Sequence, residues 1–116
     1  MAQRLQDGRS LLTLLEAGDG TPIGQLRFDV VPEGREIDFS IAAPFRGQGY
    51  GKTLLQDAMR LARERWPGST VVIARILAGN APSLALCQRV GFRITEYGHD
   101  AGKSYVRLER RLAEGN

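Results

Sequence analysis

With 116 residues, 42% of them hydrophobic, the chain suits one domain (1–116) with a modest core. Its single cysteine, Cys87, excludes an internal disulfide, and no Cys/His spacing offers a metal site. The net charge of +3 comes from scattered arginines without interleaved aromatics, no apolar run spans a membrane, and the polar start is unlike a secretory signal; the expectation is a soluble, cytoplasmic protein that binds neither nucleic acid nor membrane.

In chain order, residues 10–17 read as a first strand ending at the Gly18-Asp19-Gly20 turn. Over 23–31, Leu26, Phe28 and Val30 alternate with Gln25, Arg27 and Asp29, the period of two of a half-buried strand. After a turn at Pro32-Glu33-Gly34, residues 35–42 repeat it, with Ile37, Phe39 and Ile41 on one face and Glu36, Asp38 and Ser40 on the other. A three-stranded meander follows from these.

From Gly51 the period becomes helical: Leu54, Leu55, Ala58, Leu61, Ala62 and Trp66 share a face until Pro67-Gly68 stops the run. The β-branched stretch Thr70-Val71-Val72-Ile73, continued by Ile76, suits a central strand. Asn80 can cap a short helix with Pro82 in its first turn and Gly91 at its end. Residues 92–95 and 104–108 complete the chain as two strands around a Gly98–Gly102 loop. The expected order is βββαβαββ, an α/β fold with a mixed sheet.

Between the third strand and the first helix lies Arg46-Gly47-Gln48-Gly49-Tyr50-Gly51-Lys52. Amides at a helix start are unpaired and point outward, so they form an anion site. Alternate glycines let a phosphate approach the main chain and let the loop take positive φ. The spacing is Gly-x-Gly-x-Gly, which is not the dinucleotide GxGxxG, and no Gly-Lys-Ser/Thr follows at P-loop spacing. The flanking strands, moreover, read as antiparallel.

The segment from Phe39 to Lys52 resembles the acetyl-CoA motif of the GNAT superfamily of N-acetyltransferases, and Asn80-Ala-Pro-Ser83-Leu-Ala-Leu-Cys87-Gln-Arg-Val-Gly91-Phe92 resembles its second, Asn-led motif. The resemblance covers roughly residues 10 to 110. It implies acetyl-CoA as cosubstrate, with the main chain of Phe39, Ser40 and Ile41 against its pantetheine arm. It further implies amides from Gly47, Gln48, Gly49, Tyr50, Gly51 and Lys52 around the pyrophosphate, and Asn80 beside the arm. A small-molecule amine would then attack the thioester directly.

Proton transfer needs a base and an acid. Several relatives use tyrosine as the acid, at a position that Cys87 occupies here. Relatives that acetylate protein N-termini carry a glutamate where this chain has Arg75. Other relatives place a carboxylate on the strand before the glycine loop, which makes Asp38, and next Glu36, the candidate base; His99 reads as a loop histidine. Only about nine residues precede the first strand, so the family's amino-terminal strand and helices are expected to be reduced or absent. That leaves a fragment or fusion of a larger enzyme, or a homodimer completing the acceptor site. Gly24-Gln-Leu-Arg-Phe-Asp29 and Ile37-Asp-Phe-Ser-Ile41 are similar to acetyltransferase domains that modify amino sugars. The competing expectation is a catalytically weak acyl-CoA-binding module.

Overall fold

The computed structural model describes residues 2–6, 10–68 and 70–112 of the chain. Its strands are β1 (Ala2–Gln6), β2 (Ser10–Glu16), β3 (Pro22–Val31), β4 (Gly34–Ile41), β5 (Thr70–Leu77), β6 (Arg93–Asp100) and β7 (Lys103–Leu112). They form one sheet in the order β1-β2-β3-β4-β5-β7-β6. The helices are α1 (Tyr50–Arg65) and α2 (Ala81–Arg89), and a single 3₁₀ turn, Ala43–Phe45, leads into the glycine loop.

Three expectations are corrected. A strand, β1, precedes the meander, pairing antiparallel with β2 from Ala2↔Leu15 to Gln6↔Leu11. Five residues are too few to show a period, and the free edge of β2 decides their conformation. The strands on either side of the loop and α1 are parallel, with Arg35↔Val72, Glu36↔Ile73 and Ile37↔Ala74 in register. A helix crossing back over the sheet returns the chain in the same direction. Finally, no loop runs from Gly98 to Gly102: β6 continues to Asp100 and turns at Ala101 and Gly102, whose φ of 52° and 77° suit a two-residue hairpin. His99 is therefore a strand residue, 3.1 Å through Nδ1 from Ser104 Oγ across the hairpin.

The period-two pattern does what it foretold. Leu11, Phe28, Ile37, Ala74 and Leu108 are successive cross-strand partners, forming one buried row across β2, β3, β4, β5 and β7. Onto that face α1 places Leu54, Leu55, Ala58, Met59 and Ala62, and α2 adds Cys87, with Val90 and Phe92 just beyond it, all in one core. Trp66 closes it edge-on against Phe28, with ring centroids 5.4 Å apart. Both helices lie on this face. Across β2 to β4 the opposite face carries the rows Leu12–Arg27–Asp38 and Leu14–Gln25–Ser40, and none of the described helices covers it.

Candidate active site

The site is made where two neighbouring strands stop pairing. Beyond Ile37↔Ala74, β4 follows β3 as far as Ile41, while β5 follows β7 as far as Leu77. Main-chain groups of residues 38–41 on the β5 side are left without a strand partner, and, apart from the Ile41 carbonyl, which accepts from Arg46 Nε at 2.9 Å, an extended ligand could pair with them. At the closed end, a Cβ on Gly34 would strike the carbonyl oxygen of Val71, so glycine there lets the strands meet. Arg75 of β5 reaches back to donate to Glu36 of β4 and, at 3.3 Å, to Glu33 of the preceding turn. Those carboxylates hold the guanidinium pKa above its ordinary value, Glu36 most strongly.

The open end leads into a cleft of about 740 Å³ bounded by β4, the glycine loop and the two helices. Phe39, Ser40, Ile41, Gly47, Gly49, Gly51, Lys52 and Asn80 line it, as the sequence reading expects. Gln48 and Tyr50 do not. Gln48 folds back to donate to the Pro44 carbonyl at 2.9 Å, and Tyr50 packs edge-on to Phe45. Both side chains therefore brace the loop from outside.

The glycines serve two ends. Gly47 and Gly49 have φ of 76° and 87°, in the left-handed region, and a Cβ on either would enter open space. Gly49 is the N-cap of α1 and brings no side chain to its first-turn amides, so these stay free for an anion. Gly51 is about packing instead: a Cβ there would lie 2.7 Å from Leu86 Cδ2, so glycine lets α1 and α2 touch beside the cleft.

Asn80 accepts from the Ser83 amide at 3.3 Å, capping α2, and it also lines the cleft. Sequence reasoning left Arg46 and Arg89 out of the site, yet both line the cleft with Lys52. Three cations and an uncapped helix start match a pyrophosphate in charge. Arg46 was legible from its place in the loop, whereas Arg89 reaches the cleft only because α2 packs against α1.

The proton-transfer candidates separate. Cys87 is fully buried in the core, and burial pushes its thiol up to about 11. It does not line the cleft. Glu36 is held by Arg75. Asp38 is exposed on the helix-free face, one residue past the point where β4 and β5 part, and has no ion-pair partner among the described residues. Among the described residues no cluster of His, Cys, Asp or Glu could hold a metal, and no helix is long and apolar enough to cross a membrane.

Known proteins agree with this geometry. The model of the acetyltransferase (GNAT) family matches residues 2–92. A ribosomal-protein-alanine N-acetyltransferase from Brucella melitensis is 28% identical with a TM-score of 0.77, over 89% of this chain and 69% of that one. A candidate phosphinothricin N-acetyltransferase is 27% identical with a TM-score of 0.79, over 94% of this chain and 75% of its own. The yncA protein of Salmonella typhimurium, solved with its cofactor acetyl-CoA, has a TM-score of 0.78 at 22% identity, over 90% of this chain and 66% of that one. A search of curated protein sequences returned no significant match. By its glycine-loop cleft, its parted strands and the family model spanning most of its length, the chain belongs to the acetyltransferase (GNAT) family and draws its acetyl group from acetyl-CoA.

Proposed function

We propose that the chain acetylates the primary amine of a small molecule by direct attack on acetyl-CoA, with Asp38 as the base. The observation that carries this is the parting of β4 and β5 one residue before Asp38. The cofactor cleft opens on the helix side of the gap and Asp38 stands on the other, so a thioester lying between the strands can be met by an amine from the Asp38 face.

The amine nitrogen forms a bond to the acetyl carbon as the carbon–sulfur bond breaks. Its proton passes to Asp38, directly or through one water, and CoA leaves as a thiolate protonated from solvent. The main chain of residues 39–41 holds the pantetheine arm in extended form, and the amides of Gly47 to Lys52 with the three cations hold the pyrophosphate. With Arg75 engaged by two carboxylates, that position offers no base for a protein N-terminus, which favours a small acceptor.

Thiol release from acetyl-CoA over a panel of amines tests the reading. Asp38→Asn should lower kcat/KM about a hundredfold, the ordinary worth of a general base, with acetyl-CoA affinity unchanged in calorimetry. Tight acetyl-CoA binding without turnover of any amine would instead favour the weak acyl-CoA-binding module, a reading to which the buried Cys87 lends its one support.

A further inference from the structure

A second hollow, of about 430 Å³, lies at the end of β2, β3 and β4, and no residue of either helix lines it. It shares Ser40, Ile41 and Arg46 with the cofactor cleft, so the two flank the same end of β4. Its lining includes Leu14, Gln25 and Ser40, which are cross-strand partners in one row of the helix-free face. The neighbouring row of that face is Leu12–Arg27–Asp38. Two residues along a strand span about 7 Å, so Asp38 stands roughly that far from the row of the hollow.

We infer that this hollow receives the non-reacting body of the acceptor, and that the acceptor is a primary monoamine with a compact, largely apolar body. The inference rests on the proposed transfer at Asp38 and names what the amine carries. For an amine beside Asp38 this hollow is an adjoining concavity, and a short carbon arm of about two or three atoms bridges the row spacing. Leu14, Pro22 and Ala42 supply apolar wall, Gln25 and Ser40 supply isolated hydrogen-bonding groups, and Glu16 and Arg46 offset one another in charge. A second ammonium, as in a polyamine, finds no net negative charge there, because Arg46 offsets Glu16. A polyhydroxylated ring finds too few donors and acceptors for its hydroxyls.

The test compares ethylamine, 2-phenylethylamine, spermidine and glucosamine as acceptors, with acetyl-CoA affinity measured separately by calorimetry. The arylalkylamine should give the highest kcat/KM. Gln25→Trp, at an exposed strand position, should fill the hollow and raise KM for 2-phenylethylamine about tenfold more than KM for ethylamine, while acetyl-CoA still binds in calorimetry. Leu14→Ala, which removes wall without adding bulk, should raise the same KM by a smaller factor. Failure to bind acetyl-CoA, or binding without turnover of any amine, would overturn the proposed transfer itself. Turnover in which spermidine or glucosamine is preferred, or in which both variants leave KM unchanged, overturns this inference alone. So does a change in oligomeric state on Gln25→Trp with kinetics unchanged, which would assign the hollow to a contact between copies.

Discussion

Gly49 concentrates the chemistry of the loop into one backbone conformation. A β-branched side chain there must adopt φ near 87° and point into open cleft space. Gly49→Val should therefore cost about 1–2 kcal/mol in backbone strain and weaken acetyl-CoA binding tenfold or more, the far-ultraviolet circular dichroism staying native. Undiminished affinity in calorimetry would remove the phosphate from this loop. Cys87 makes a prediction of another kind. Its thiol pKa is raised from 9.0 to about 11 in the folded protein, so its contribution to stability is intact below pH 9 and is lost as pH rises toward 11. Urea midpoints measured from pH 8 to 11 should fall more steeply for the parent than for Cys87→Ala; parallel curves would mean the thiol is hydrated. Thr13 is buried with its hydroxyl unpartnered among the described residues, and Thr13→Val should add about 1 kcal/mol to the free energy of unfolding in urea. The glycine loop was legible beforehand because its residue types are dictated by main-chain geometry within seven consecutive positions. For Cys87 the residue type left a buried hydrophobe and a catalytic acid both open, and how α2 is rolled against the sheet decides for burial.

The strands that part are set by devices at their closed end. Glu36 and Arg75 are each about one-third exposed, so their pair contributes no more than about 1 kcal/mol to stability. Its larger effect is to fix where β4 leaves β5. Arg75→Ala should lower the melting temperature slightly but weaken acetyl-CoA binding severalfold, and the exchange Arg75→Glu with Glu36→Arg should recover part of that loss. Equal affinity in all three proteins would show that the pair only decorates the surface. Element by element, strands and helices fell within a residue or two wherever one periodicity ran uninterrupted, as in β3, β4 and α1. They failed where long-range contact overrides local signals. In β6 the run Gly98-His99-Asp100 reads as part of a loop, yet Tyr105 lies over Gly98 closely enough that a Cβ there would sit 2.6 Å from the ring, and the strand is held. The three-residue parallel contact of β4 with β5 leaves no trace in either strand's own pattern.

At the scale of the whole molecule, one face of the sheet carries the helical core and the other carries charge, while the proposed acceptor hollow sits at the strand ends where Leu14, Gln25 and Ser40 of the helix-free face meet Leu15, Ile23 and Ile41 of the core side. The period of two announced that division in β3 and β4, while the meeting of two hollows' linings at the end of β4 depends on the register of three strands and lay beyond a linear reading. The division also determines which part of the fold a ligand can steady. The helix α2 is only nine residues long, its last carbonyl at Val90 accepts from Arg110 of β7 at 2.9 Å, and Gly51 gives it a close seat on α1 beside the cleft. A nine-residue helix is too short to persist without such neighbours. Acetyl-CoA, touching both the α1 start and the lining residues of α2, should make α2 open less often. At a hundred times its dissociation constant the cosubstrate adds about 2.7 kcal/mol to the folded state by mass action. Amide hydrogen exchange should record that gain first and most strongly in α2, ahead of strands β2 and β3 on the far side of the sheet.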